Sequence, residues 1–235
     1  MDIQQRIDQL NWDKAAADMN NTGYAILPGV LIGNECTDLI TQYDNENLYR
    51  KKVIMERHQY GKGEYKYFSY PLPQLVQQLR ETVYPKLVPL VNGWMQALNI
   101  ANSFPATLAE QLELCHANNQ VKPTALILKY AKGGFNALHQ DLYGDIFFPV
   151  QMVIFLNEPG EDYEGGEFVL IEQKPRAQSK AIVLKPHKGD VLVFTTNFRP
   201  VNGTRSYYRV NMKHGVSEIT EGNRHTLGII FHDAG

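Results

Sequence analysis

His139 and Asp141 are separated by one residue, His214 follows 73 positions later, and Arg224 lies ten positions beyond that. Two imidazoles and one carboxylate are the donor set of a facial triad. Such a triad holds non-heme Fe(II) through three ligands and leaves the remaining positions open, an arrangement suited to O2 chemistry. On an extended strand, residues two apart project from the same face, so His139 and Asp141 can address one ion. Alone, a His-x-Asp pair is a weak signal, because such pairs are common as surface or core hydrogen-bonding groups. His214 completes the set only if the fold returns the chain opposite the first two ligands.

The elements that must do this positioning change character along the chain. Residues 3–19 carry Ile3, Ile7, Leu10, Ala15 and Met19 at helical intervals, which predicts an amphipathic helix. Gly23 to Val30 reads as a short strand closed by Pro-Gly, and Asn34 to Tyr43 as a capped helix. Residues 53–70 hold Gly61 and Gly63 among tyrosines and read as a hairpin or ordered loop. Pro73 to Leu98 has a helical apolar repeat that Pro85 and Pro89 are expected to kink or divide, since each removes a backbone donor. Pro105 to His116 reads as a further helix. From about residue 124, short β-rich runs follow: 124–130, 150–156, 167–171, 181–184, 190–194 and 226–231. Strands at this spacing, punctuated by Gly, Pro, Asn and Asp, indicate a sandwich or barrel. The expected fold is α+β: a double-stranded β-helix (jelly roll) over 124–235, with a mainly helical N-terminal half, 1–123, packed on it as one domain.

Composition narrows the function classes. The chain has 235 residues, 43% hydrophobic and 20% charged, with a formal net charge of −2. That size can bury a substantial core. A near-neutral balance gives no long-range attraction to nucleic acid or anionic membrane. No apolar stretch approaches the ~20 residues of a membrane span, and the polar, acid-bearing N-terminus does not read as a signal peptide. Cys36 and Cys115 lack the paired spacing of a zinc site and read as buried thiols in a reducing compartment. The expected location is the cytoplasm. No feature specifies an oligomeric state.

Several further motifs surround the triad. Gly222 and Arg224 stand eight and ten positions after His214; Gly165-Gly166-Glu167-Phe168 follows a strand ending Leu156-Asn157; Lys188-Gly189-Asp190 opens the run to Phe194. In this order, with His139 and Asp141, they resemble the 2-oxoglutarate- and Fe(II)-dependent oxygenase superfamily on its prolyl-4-hydroxylase-like side. Further segments, among them Cys115-His116, Glu172-Gln173 and Arg224 to Asp233, resemble an uncharacterised bacterial group within it.

The resemblance implies an oxidoreductase, a dioxygenase using Fe(II), 2-oxoglutarate and O2, with ascorbate as a candidate reductant. His139, Asp141 and His214 would be the metal ligands, with no further catalytic residue. Arg224 would anchor the far carboxylate of 2-oxoglutarate through a bidentate pair. Thr226, on the same strand face, would add a hydroxyl, and Tyr130 a further donor. One departure stands out: where many prolyl hydroxylases carry a tyrosine that helps hold 2-oxoglutarate, this chain has Phe155. Gln151 shares parity with Phe155 and so can face the pocket. Tyr143 and Arg209 are candidate substrate-pocket residues, and Arg199, Arg205, Tyr207 and Tyr208 candidates for its mouth. His58, His116, His187, His225 and His232 read as structural; His232 shares parity with Arg224, and His225 opposes it. With a carboxylate at Asp141, hydroxylation or oxidative demethylation is expected rather than halogenation. The substrate is open between a protein side chain such as proline and a small molecule. Nucleic acid is less favoured for want of a basic groove. A non-catalytic jelly-roll sensor of metal or 2-oxoglutarate is the reading from another class.

Overall fold

A computed structural model describes residues 1–141 and 144–235. In chain order its elements are α1 (Ile3–Asp8), α2 (Trp12–Thr22), β1 (Tyr24–Leu27), α3 (Gly33–Gln42), β2 (Tyr49–Ile54), β3 (Gly61–Lys62), β4 (Glu64–Phe68), α4 (Gln74–Ala97) and α5 (Leu108–Ala117). Then follow β5 (Leu126–Ala131), β6 (Phe135–His139), β7 (Val150–Phe155), β8 (Tyr163–Gly165), β9 (Phe168–Gln173), β10 (Lys180–Leu184), β11 (Val191–Thr195), β12 (Phe198–Asn202), β13 (Tyr207–Val216) and β14 (Ile219–Ile230). The major antiparallel sheet runs β1-β11-β7-β14-β5-β4-β2, with β8 also on β14; the minor sheet runs β10-β9-β13-β6-β3, with β12 on β13. The two sheets meet through Val153, Phe155, Leu192 and Phe194 on one side and Phe168, Leu170, Val210 and Met212 on the other. This is the jelly roll that the strand spacing predicts.

Strand parity decides what each sheet face does. In the major sheet Ile127, Met152, Ile154, Val191, Val193, Leu227 and Ile229 join one core with the helices, including Leu79, Val83 and Trp94 of α4. The alternate residues turn inward toward the minor sheet. Both faces of β7 are covered, and all six of its residues are buried, which is why it reads as an unbroken apolar run.

Four expectations change. The segment 3–19 is two helices, because Asn11 caps α2 by accepting from the Lys14 amide. α4 is undivided despite Pro85 and Pro89: eleven of its residues are buried, and that packing outweighs the ~3 kcal/mol a mid-helix proline costs. The N-terminal half is not only helical support. β2 and β4 pair with each other and β4 with β5, while β1 pairs with β11 at the other edge. These segments are short and tyrosine-rich, so their hydrophobic periodicity is weak. Finally β13, which carries His214, is a strand that periodicity passed over, because its polar residues alternate outward.

The Lys188-Gly189-Asp190 motif has a structural task. Asp190 accepts from the Gly29 amide at 2.9 Å and the His187 amide at 2.9 Å, and Gly189, at φ +86°, lies against the Leu31 carbonyl. The motif therefore ties the entry of β11 to the loop after β1. Cys36 and Cys115 are both buried free thiols. Among the described residues no helix is long and apolar enough to cross a membrane.

Candidate metal centre and its pocket

β6 and β13 are antiparallel neighbours, and His139 and His214 are direct register partners. Pairing fixes their rings 4.2 Å apart between centroids. Asp141 follows just past the end of β6. Its carboxylate oxygens lie 3.4 Å from His139 Nε2 and 3.4 Å from His214 Nε2, and one donor atom from each of the three residues falls within 4.8 Å of the others. The intervening Gln140 side chain is bound elsewhere, donating to the Asn197 and Met212 carbonyls at 3.0 and 2.8 Å. That clamp holds the end of β6 against β13.

The electrostatics match a cation site. Burial by itself would raise the Asp141 carboxyl, but the contacts from His214 and His139 hold it well below the usual carboxylate range. Burial pushes His214 down, toward its neutral form. For His139 burial also acts downward, and the Asp141 contact overcomes it, so the group is raised. His139 Nδ1 sits 2.7 Å from the Ala137 carbonyl; donating there leaves Nε2 as the lone-pair nitrogen facing Asp141. Phe168 stacks on His214 at 5.9 Å and Phe194 packs at 4.8 Å, keeping the wall behind the imidazole dry.

Arg224 stands on β14 opposite Tyr130 of β5. It is 1% exposed, yet none of its three guanidinium nitrogens has a hydrogen-bond partner among the described residues. Its Cζ lies 5.2 Å from the Phe155 ring, 5.7 Å from Tyr130 and 6.0 Å from Tyr163. A buried cation with aromatic faces around it and no anion is built to receive one. The Tyr130 hydroxyl is also buried without a hydrogen-bond partner; burial pushes it up to about 12 against the opposing Arg224 charge, so it is a neutral donor at physiological pH. Thr226, 2% exposed, lines the same face. Phe155 contributes a ring and no hydroxyl.

The Gly-Gly turn explains itself here. Gly166 has φ +64°, and a Cβ added to it would strike the Ile219 side chain and press on Arg224 Cδ at 3.1 Å. Gly166→Ala is therefore expected to cost about 2 kcal/mol or more through φ strain and collision, and to displace the guanidinium. Denaturant unfolding together with a 2-oxoglutarate titration checks both effects; unchanged values in both would remove this role for the turn.

Triad and Arg224 open into one cavity of about 550 Å³. Gln151 lines it as parity requires and is 6% exposed, with its Nε2 lacking a partner. Tyr143 lies outside the described residues. Arg209 does not reach the pocket: it has the opposite parity to His214, is exposed on β13, and lies 4.3 Å over the Phe198 ring. Arg199 is likewise structural, ion-paired with Glu172 and donating to the Asn20 carbonyl at 3.1 Å. Arg205, Tyr207 and Tyr208 are absent from the lining. His232 is turned to the Phe148 amide, 3.1 Å from its Nδ1, and not to the pocket. His58 stacks on Tyr60 at 5.3 Å and stands at the mouth. Among the lining residues that sequence reasoning missed are Lys51 and Val53 of β2 and Tyr65 and Tyr67 of β4. Alternation along Glu64-Tyr65-Lys66-Tyr67 was the available signal, too short to count.

His225, on the opposite face from Arg224, packs edge-on to Tyr43 at 5.7 Å and binds Asn157. Burial, then the Lys129 charge, lowers it to about 4. Its folded value lies below its unfolded one, so the unfolded chain binds more protons between the two. Stability should fall as pH drops from about 6.5 toward 4, by up to about 3 kcal/mol from this group. His225→Phe should flatten that limb in denaturation measured across pH; an unchanged slope would exclude His225 as its source.

Comparison with known proteins fits this geometry. Residues 63–234 match the model of the Oxygenase-NA family, described as an oxygenase catalysing oxidative methylation of damaged DNA. The chain belongs to this family. Its matched span holds every residue of the triad and Arg224. The oxygenase is 45% identical over 167 residues to the uncharacterised proteins Rv2227 and MT2286 of Mycobacterium tuberculosis, covering 71% of this chain and 72% of each relative. By fold it is similar to a prolyl-4-hydroxylase of Pseudomonas putida (TM-score 0.57, 15% identity, 95% of this chain and 99% of that one). It is also similar to a 2-oxoglutarate-Fe(II) oxygenase of Burkholderia pseudomallei (TM-score 0.56, 15% identity, 96% and 93%). A third is a Trichoplax adhaerens prolyl hydroxylase in complex with a hypoxia inducible factor peptide (TM-score 0.55, 12% identity, 97% and 90%). By its family the chain is an oxygenase, and it shares the fold of 2-oxoglutarate-Fe(II) oxygenases.

Proposed function

We propose that this oxygenase uses Fe(II), O2 and 2-oxoglutarate to hydroxylate a C–H bond of a substrate held in the 550 Å³ cavity. The observation that carries this reading is the buried, acceptor-less Arg224 sharing one cavity with the His139, Asp141 and His214 triad. When bound, the iron and cosubstrate supply the oxidant that adds one oxygen atom of O2 to the substrate, with release of succinate and CO2.

The chain's own residues bind, orient and exclude. His139, Asp141 and His214 would hold the metal at the wall of the cavity. Arg224 pairs with the far carboxylate of 2-oxoglutarate, with Thr226 and the neutral Tyr130 hydroxyl donating beside it. Tyr130 takes the part of the hydroxyl absent at Phe155. Phe168 and Phe194 keep water from the imidazole they cover. No further acid or base is required of the protein. Ascorbate is a candidate reductant for keeping the metal ferrous.

Asp141→Ala should abolish 2-oxoglutarate-dependent succinate release, by at least about a thousandfold, because a site with one ligand fewer loses both affinity and geometry. Anaerobic titration of the Fe(II)-loaded protein with 2-oxoglutarate, followed by the weak visible charge-transfer band, tests the whole reading. Iron bound without any band would sink it and favour a metal-binding sensor.

Two substrate classes accompany the comparisons: a protein side chain such as proline, from the hydroxylases of similar fold, and damaged DNA, from the family description. A free small molecule is the third, and the cavity's lining favours it.

A further inference from the structure

Along β14 the cavity-facing residues run from Arg224 through Thr226 and Gly228 to Ile230, on the order of 20 Å at ~3.4 Å per residue. A five-carbon diacid anchored at Arg224 is far shorter. The end it leaves open has its own chemistry. Val53, Tyr67, Leu126 and Ile230 wall it. Gln151 forms part of that surface, 6% exposed, its Nε2 buried without a partner. It pairs in register with Ile230 on one side and Phe194 on the other. The Phe194 ring is 4.8 Å from that of His214, so the amide stands one strand from a metal ligand, toward the end away from Arg224.

Lys51 is exposed at the rim of this end and forms no ion pair among the described residues. Its neighbours are committed elsewhere: Arg50 donates to the Pro123 carbonyl at 2.9 Å and lies 4.6 Å over Tyr67, and Lys52 pairs with Glu64 at 2.7 Å. Toward β6 the mouth presents Tyr60 and Leu138, about half exposed at 50% and 49%.

A buried amide donor with no acceptor is costly to keep, and in a ligand cavity it is the kind of polar group that fixes orientation. We propose that this half of the cavity is the substrate subsite and that it takes a small organic anion. The apolar or aryl body lies against Val53, Tyr67 and Leu126, a carbonyl oxygen accepts from Gln151, and a carboxylate reaches Lys51. This rests on the oxygenase reading above. A polynucleotide fits less well, because tracking phosphates takes a row of cations, and Lys51 is the only lysine in the lining among the described residues.

The probe is hippurate, which joins an aryl ring, an amide and a carboxylate. Its binding is measured by calorimetry on the full chain, with and without Fe(II) and 2-oxoglutarate, beside a methylated single-stranded oligonucleotide and a proline-containing peptide. Hippurate should bind. Gln151→Leu should weaken it about tenfold or more through the lost bond to a charged or carbonyl acceptor. Lys51→Ala should weaken it about threefold and remove its salt dependence, while Lys51→Arg retains both. Gln151→Met, apolar and unbranched, stands in if the leucine variant does not melt cooperatively. No hippurate binding, equal affinity across the variants, or tighter binding of the oligonucleotide or peptide would overturn the subsite. A missing 2-oxoglutarate band in the parent protein would overturn the oxygenase reading instead, and the Gln151 and Lys51 comparison would still decide the subsite.

Discussion

Arg224→Met is expected to weaken 2-oxoglutarate binding roughly a hundredfold while leaving the unliganded protein at least as stable as the parent. Arg224 is 1% exposed, and its guanidinium makes no hydrogen bond among the described residues. Without an anion beside it, it is a desolvated charge whose cost is relieved by the faces of Tyr130, Phe155 and Tyr163. An apolar side chain of similar length removes that cost, as replacements of buried charges often do, with an effect between neutral and about 2 kcal/mol of stabilisation. The cosubstrate loses a bidentate, charge-assisted pair of about 3 kcal/mol, roughly a hundredfold in affinity. Thermal melting with and without 2-oxoglutarate reads both effects. The parent should gain stability with ligand concentration by mass action; the variant should need roughly a hundredfold more ligand for the same gain. A variant that melts much lower without ligand, or that responds to 2-oxoglutarate at the parent's concentrations, would show that Arg224 is a structural cation and not an anchor.

Asp233→Ala should be strongly destabilising, by about 3–5 kcal/mol. Asp233 and Arg80 are both 0% exposed. Asp233 accepts from Arg80 Nη2 at 2.9 Å and from the Tyr70 hydroxyl at 3.0 Å, and lies 3.0 Å from His116 Nε2. Arg80 in turn donates to the Ile230 carbonyl at 2.9 Å. This network bolts α4, the segment before it at Tyr70 and the last turn of α5 onto the end of β14, the strand that carries Arg224 and Thr226. Truncating the acid strands a buried guanidinium, whereas the double change Arg80→Met with Asp233→Leu should recover much of the loss. Chemical denaturation of the three variants measures it. A single-variant cost below about 1 kcal/mol would mean that water reaches the pair.

The ligand set and the core of the fold are local or periodic, which is why sequence carries them. His139 and Asp141 need only strand alternation to share a face, and β5, β7, β9, β11 and β14 announce themselves by β-branched and aromatic runs. Taken from the positions that the resemblance assigned to Arg224 and Phe155, parity placed Thr226 and Gln151 inward and His225 outward. Applied to β13, it would also have set Arg209 outside, since Arg209 and His214 differ by an odd number of positions. The resemblance supplied the order of the motifs but not their physical tasks: Gly166 makes room for Arg224, and Asp190 ties β1 to β11.

Pairing between distant strands is what no local pattern specifies. That His214 sits opposite His139, that Tyr130 faces Arg224, and that β2 and β4 wall the cavity with Lys51 and Tyr67 are outcomes of register across long sequence separations. The same holds for Arg80 and Asp233, 153 positions apart in the chain. Sequence by itself determined the chemistry available to this protein, because that depends on residue types and on their two-residue or ten-residue spacing. Only the tertiary structure decided what the chemistry can act on, because the shape and charge of a cavity belong to side chains that meet solely when the sheets close.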